Sequence, residues 1–163
     1  MIILGIDPGY ATVGYGVIEA DGMHFRTVDY GAVTTPAKTP FDIRLEMIYD
    51  GICELCDRYK PDAASVEELF FNTNITTGIA VGHSRGVILL ALRKSGVDFY
   101  EYTPLQVKQS VVGYGRAEKK QVMIMTKTIL GLERMPRPDD AADALALAVC
   151  HAHSAKSQLL GLM

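Results

Sequence analysis

Six acidic residues sit where backbone geometry could gather them. Asp7 ends the apolar run Ile2-Ile3-Leu4-Gly5-Ile6 and is followed at once by Pro8-Gly9. Glu67 and Glu68 close a second apolar stretch, and Asp139, Asp140 and Asp143 open an alanine-rich one. Two like charges about 4 Å apart repel by about 4 kcal/mol at an effective dielectric near 20, so such a cluster requires protonation or a counter-cation. Hard oxygen ligands left open to water select Mg²⁺ or Mn²⁺. Two such ions about 3.5–4 Å apart support phosphodiester hydrolysis, one side activating water and the other stabilising the leaving oxygen. Each acid also has an ordinary reading. Asp7 could cap a turn, and acids in a first helical turn suit the helix dipole.

The elements that must position these acids follow from periodicity. Ile2–Asp7 reads as a strand buried on both faces and stopped by Pro-Gly. Val13–Ile18 and Phe25–Thr34 read as second and third strands. The turns between them are short enough only for hairpins, so these three are antiparallel. Gly5, Gly14 and Gly16 leave either open backbone near Asp7 or close strand packing. A helix is expected from Pro40 to Tyr59, and its return makes Asp62–Leu69 a strand parallel to the first. Neighbouring strand residues face opposite ways, so only one of Glu67 and Glu68 can join Asp7. Alternation alone leaves that choice open.

Phe70 and Phe71 stand where a loop should be polar, and an exposed ring there could stack on an unpaired base. Ile75–Lys94 reads as a long helix carrying Gly78, Ala80, Gly82 and Gly86. Each glycine costs roughly 1 kcal/mol of helix propensity, which close packing must offset, either on the protein's own sheet or on a partner helix. Val97–Tyr102 is the fifth strand. Thr103-Pro104 starts a short helix, Glu118–Leu130 forms another, and the last opens at Asp139-Asp140. Asp140 and Asp143, three apart, share one face of it. The expectation is an α/β layered fold with a mixed sheet, formed by residues 1–163 as one domain.

Charge is uneven. From Tyr102 to Arg137 seven basic residues face two acidic ones, a local +5, while the whole chain is −3 and the remainder therefore −8. A basic surface on an acidic body steers a polyanion, although a solvated helix face has the same composition. No apolar run approaches the roughly 18–20 residues of a membrane span. The N-terminus carries no basic leader, so a cytoplasmic location is expected. Three cysteines argue against a disulfide framework. Cys53-Glu-Leu-Cys56 and Cys150-His-Ala-His153 read as ordinary helix residues, lacking a second set at zinc spacing.

Several segments together resemble the RuvC family of bacterial Holliday-junction resolvases. They are Gly5-Ile-Asp-Pro-Gly9, Val66-Glu67 with Phe70 nearby, and Gln106-Val-Lys-Gln109 with Val111-Val-Gly113. Ala117-Glu-Lys119 with Gln121-Val122 and Asp140-Ala-Ala-Asp-Ala-Leu-Ala146 complete the set. They occur in order from Met1 to about His153.

The resemblance implies a ribonuclease H-like fold: a five-stranded mixed sheet, with the first three strands antiparallel, the fourth and fifth parallel to the first, and helices flanking it. It implies a homodimer joined through the Ile75–Lys94 helix, cutting symmetrically related strands of a four-way DNA junction in recombination and repair. The family's acidic positions fall on Asp7, Glu67, Asp140 and Asp143 as ligands for Mg²⁺, two per site, with Mn²⁺ able to substitute. Lys108 and Lys119 match basic residues near the scissile phosphate, and Phe70 an aromatic that stacks on an unpaired base. Arg116 and Lys120 extend the DNA surface, Asp139 is an additional acid, and a RuvA–RuvB branch-migration complex is the implied partner.

Two other classes share part of this pattern. Actin-like ATPases and sugar kinases also end a strand in Asp-x-Gly, but they need a second domain for which 163 residues leave no room. A protein that binds junctions without cutting them would not need the full set of acids.

Overall fold

The computed structural model describes residues 1–22, 24–68 and 75–159. Phe70 and Phe71 lie outside them. Within the described residues five strands form one sheet: β1 (Ile2–Asp7), β2 (Thr12–Asp21), β3 (His24–Thr34), β4 (Ala63–Glu67) and β5 (Phe99–Tyr102). Their order is β3-β2-β1-β4-β5. β2 runs antiparallel to β1 and β3, β4 is parallel to β1, and β5 is parallel to β4. These are the directions expected from the lengths of the connections.

Among the described residues five helices cover the sheet: α1 (Phe41–Tyr59), α2 (Ile75–Lys94), α3 (Pro104–Val112), α4 (Lys119–Ile129) and α5 (Asp139–Leu159). Local signals fix their ends. Thr103 and Gln106 form a reciprocal capping box at α3, and Glu118 and Gln121 form another at α4. The α1 helix ends on Lys60 at φ 46°, whose N–H returns to the Cys56 carbonyl. The fifth strand begins at Phe99 rather than at Val97 as expected. Val97 is used earlier, its N–H closing the end of α2 on the Leu92 carbonyl.

Two cores lie on opposite faces of the sheet. Leu4, Ile6, Val13, Val17, Ala64 and Val66 pack with Ile48 and Ile52 of α1 and Ile88 and Leu92 of α2. Ile3 and Ile18 point the other way, toward α3, α4 and α5. Along β1, therefore, Ile3, Gly5 and Asp7 share the α5 face. The α5 residues from Ala141 to Ala152 are almost all buried. A helix apolar on nearly every side belongs in an interior, and its alanines keep it thin enough to lie directly on the strands.

Cys53, Cys56 and Cys150 are free thiols. Cys56 is part of the α1 core, as its helical spacing suggests, and burial pushes the Cys150 thiol up to about 11. The buried His151 accepts or donates at Tyr102 Oη, 2.7 Å away.

Candidate active site

The carboxylates are assembled by strand register and by an absence of side chains. Ile6 pairs with Val66 on the parallel strand β4, so Asp7 and Glu67 follow side by side at adjacent strand ends. Gly5 pairs with Ser65, which puts Ser65 and Glu67 on the Asp7 face. Glu67 lines the same cleft as Asp7. Glu68 continues past the strand, its N–H donating to the Tyr102 carbonyl.

The other two acids arrive on α5, which rests in a trough of three glycines. A Cβ on Gly5 would lie 1.9 Å from the Ala144 carbonyl oxygen. One on Gly14 would lie 2.1 Å from the Asp140 carbonyl oxygen and 2.8 Å from Asp140 Cβ, and one on Gly16 would meet Leu145 at 2.7 Å. Gly14 is the residue paired with Asp7, and Gly5 is paired with Gly16. The glycines thus leave no open backbone; a helix fills the space. Close backbone approach is the use of glycine that sequence alone could not separate from tight strand packing.

Charge couples these acids to one another. Burial raises the Asp7 carboxyl to about 8, helped by Glu67, Asp143 and Asp140 in that order and opposed by Lys119. Glu67 is raised by burial and then by Asp143. Asp143 is also raised, again by burial first, although Lys119 Nζ donates to its Oδ2 at 2.6 Å and pulls the other way. That contact in turn raises the Lys119 ammonium. Asp139 is engaged in an ion pair with Arg137 and acts on Asp143 and Lys119 through its charge.

A cleft of about 400 Å³ opens over these groups, lined by Asp7, Glu67, Asp143, Lys108 and Lys119 with Val107, Val122 and Leu147 as its apolar wall. Asp140, expected here from the sequence, is not among the residues that line the cleft; it acts on Asp7 and Asp143 through its charge. Lys108 points into the cleft from α3, whereas Arg116 and Lys120 are exposed on the adjoining surface.

Among the described residues, no three of the acids converge closely enough to form a ready-made metal cage, and the Lys119 ammonium occupies one of them. The donor set nevertheless fits a hard divalent cation. It is all oxygen, half open, and left with repulsion that one lysine does not compensate.

Sequence reading missed three side chains around this site. Arg44 of α1 is buried, stacks 3.7 Å over the Tyr10 ring and donates to Thr35 Oγ1 at 2.8 Å. Ser84 and Arg85 of α2 reach the backbone at Gly9 and Glu67. None belongs to a motif, and only the tertiary contact reveals them.

Comparisons with known proteins show what the whole chain is similar to. The family model described as "Crossover junction endodeoxyribonuclease RuvC" matches residues 3–151. A protein of that name from Ruminiclostridium cellulolyticum is 58% identical over 154 residues, covering 94% of this chain and 93% of the relative. One from Alkaliphilus metalliredigens is 58% identical over 160 residues, covering 98% of both. Among solved structures, Thermus thermophilus RuvC in complex with a Holliday junction substrate superposes with a TM-score of 0.92 at 38% identity, covering 97% of this chain and 96% of that one. The yeast mitochondrial Holliday junction resolvase Ydc2, at 11% identity and a TM-score of 0.64, covers 99% of this chain and 86% of its own and shares the ribonuclease H-like fold.

Proposed function

Because the chain belongs to the RuvC family of crossover junction endodeoxyribonucleases, whose members use divalent metal, we propose that it nicks four-way DNA junctions in symmetrically related strands. The observation that carries this reading is the single cleft in which Asp7, Glu67 and Asp143 face Lys108 and Lys119. Asp7, Glu67, Asp140 and Asp143 would hold two Mg²⁺ ions, or Mn²⁺ in their place. When bound, the ions supply Lewis-acid stabilisation of the developing charge and lower the pKa of a coordinated water.

The chain's own residues do the rest. β1 and β4 hold two carboxylates on rigid strand ends, and α5 brings two more onto them. Lys119, charged and held by Asp143, would meet a non-bridging phosphate oxygen. Lys108 approaches from the other wall of the cleft. Water attacks phosphorus in line and the P–O3′ bond breaks, leaving a 5′-phosphate and a 3′-hydroxyl. Arg116 and Lys120 bind the flanking backbone, and Phe70, outside the described residues, stacks on an unpaired base at the crossover.

Symmetric cutting requires two sites, and α2 has a face for a second copy. Ile79, Gly82, His83, Gly86, Val87 and Leu90 line a shallow groove of about 460 Å³, with Ile79 56% and Leu90 52% exposed. Nothing lies within 4 Å of a Cβ at Gly86. Packing on the protein's own sheet therefore does not offset that glycine's cost, which favours the partner helix. Leu90→Glu is expected to convert a dimer of about twice the 17.8 kDa chain mass to monomer in sedimentation, because it places charge in an apolar seam. A variant that remains dimeric would remove α2 from the interface.

The substrate is delivered, in this reading, by a RuvA–RuvB branch-migration complex in the cytoplasm. Among the described residues no helix is long and apolar enough to cross a membrane. The function is tested with labelled synthetic junctions incubated with Mg²⁺ or with EDTA. Lys108→Ala should lower the single-turnover rate by about 100-fold, the scale of a lost charge-stabilising donor, while junction affinity changes by less than about threefold. An unchanged rate would take Lys108 out of the chemistry.

A further inference from the structure

Helix α2 touches the active site from behind through two consecutive residues. Ser84, with no exposed surface, donates from Oγ to the Gly9 carbonyl at 2.5 Å, two residues beyond Asp7. Arg85 donates from Nε to the Glu67 carbonyl at 3.4 Å. Its guanidinium is otherwise paired with Glu101 on β5, with 18% of the side chain exposed. One turn of one helix thus grips the chain just after the first carboxylate strand and at the end of the second.

These contacts go to main-chain carbonyls, not to the carboxylates. Arg85 spends its charge on Glu101, so its effect on Glu67 is one of placement. The serine hydroxyl is equally committed. In a fully buried position its bond to Gly9 both satisfies the hydroxyl and fixes the Pro8–Ala11 turn. Arg44 reaches the same turn from α1, donating to the Tyr10 carbonyl at 3.5 Å. The turn is therefore held by two helices and Glu67 by one, and α2 is common to both.

The opposite side of that same turn of α2 carries His83, Gly86 and Val87 of the open groove. We infer that Ser84 and Arg85 are positioning residues that set the spacing of Asp7 and Glu67, and that through them the state of the α2 outer face is transmitted to the site. The second half of this statement rests on the assignment of that face to the dimer. A partner helix seated on the groove would fix the axis of α2 and, through two adjacent residues, the two strand ends. Binding at the interface and preorganisation of the carboxylates would then be one event.

The test measures binding of Mn²⁺ by electron paramagnetic resonance in DNA-free protein, alongside solution mass and junction affinity in EDTA. Ser84→Ala and Arg85→Met are each expected to weaken Mn²⁺ binding about tenfold, as loss of outer-shell partners does. Both should remain dimeric and bind the junction within about twofold of the parent. Arg85→Lys, which keeps a donor near Glu67, should recover most of the affinity. A merely structural role would lower thermal stability and leave Mn²⁺ affinity unmoved.

Unchanged affinity in folded Ser84→Ala and Arg85→Met overturns the positioning role. If Ser84→Ala does not fold, Arg85→Met alone decides. Monomeric Leu90→Glu should show the same tenfold weakening, and parent-like Mn²⁺ affinity in that monomer overturns the link to the outer face. A parent that is itself monomeric would refute the dimer assignment instead, with the positioning role still decided by Ser84 and Arg85.

Discussion

Asp7→Asn is expected to lower the single-turnover rate of junction nicking by at least about a thousandfold while leaving junction affinity in EDTA nearly unchanged. The substitution keeps the shape of the side chain and removes one charge at the centre of the cluster. Charge stabilisation by bound metal is worth several kcal/mol at the transition state, and each 1.36 kcal/mol is a factor of ten in rate. No other acid can take over the role. Glu67 is on its own strand end, and Asp140 and Asp143 are fixed by the seat of α5. The measurement is a quench-flow time course with enzyme in excess over junction. A rate within tenfold of the parent would mean that the cleft is not where the phosphodiester is cut.

The same variant carries a prediction about stability, and its sign follows from the raised carboxyl. The Asp7 carboxyl titrates near 8 in the folded chain and at the usual 3.8 when unfolded. Between those values the folded state holds a proton that the unfolded state has lost, so metal-free stability falls as pH rises through this window. Above about pH 8 both states are ionised and the loss is complete; below about pH 4 both are protonated and it vanishes. Asp7→Asn should therefore melt higher than the parent in EDTA at pH 9, with the difference shrinking toward pH 4. Added Mg²⁺ should reverse the order at pH 9. Equal melting temperatures across the range would show that Asp7 is not strained by its neighbours.

Gly14→Ala is the second substitution with a large expected effect. Its Cβ would lie 2.1 Å from the Asp140 carbonyl oxygen and 2.4 Å from the carbonyl carbon, both backbone atoms. No rotamer change relieves that contact, so the N-terminal turn of α5 must lift off β2. Forced overpacking of this kind costs about 3 kcal/mol, which for a chain of this size lowers the melting temperature by roughly 6–12 °C. Activity should suffer more than stability implies. Asp140 and Asp143 move with the helix, and a displacement of about 1 Å at a reacting centre can cost about 100-fold in rate. Differential scanning calorimetry and the nicking assay, both below the transition, separate the two effects. An alanine variant with parent-like melting and rate would mean that α5 does not need the glycine trough.

Much of this arrangement is legible in the chain because it is local. The strand directions follow from the lengths of the β1–β2 and β2–β3 turns and of the α1 return. The identity of the inward-facing acid on β4 follows from register, once Gly5 is known to pair with Ser65. Alternation alone could not supply that register, which depends on two strands separated by β2, β3 and α1.

The glycines of β1 and β2 illustrate the limit. Their types are visible, but their purpose is set by α5, more than a hundred residues away. A glycine that admits a helix backbone reads the same as one that admits a neighbouring strand. Ser84, Arg85 and Arg44 fail for a different reason. Each bonds to a main-chain carbonyl, and a carbonyl has no letter in the sequence. Lys119 lies between. Its place in the basic segment is apparent, but its ion pair with Asp143 requires α4 and α5 to cross at the cleft.

Asp7, on the end of β1, belongs on this reading to a site that cuts four-way junctions in pairs. The most direct measurement maps nicks at nucleotide resolution on a synthetic junction and on a linear duplex of the same sequence, with Mg²⁺ present. Paired nicks at symmetry-related positions of the junction, ends carrying 5′-phosphate and 3′-hydroxyl, and an intact duplex are expected. Unpaired nicks, or equal cutting of the linear duplex, would contradict it.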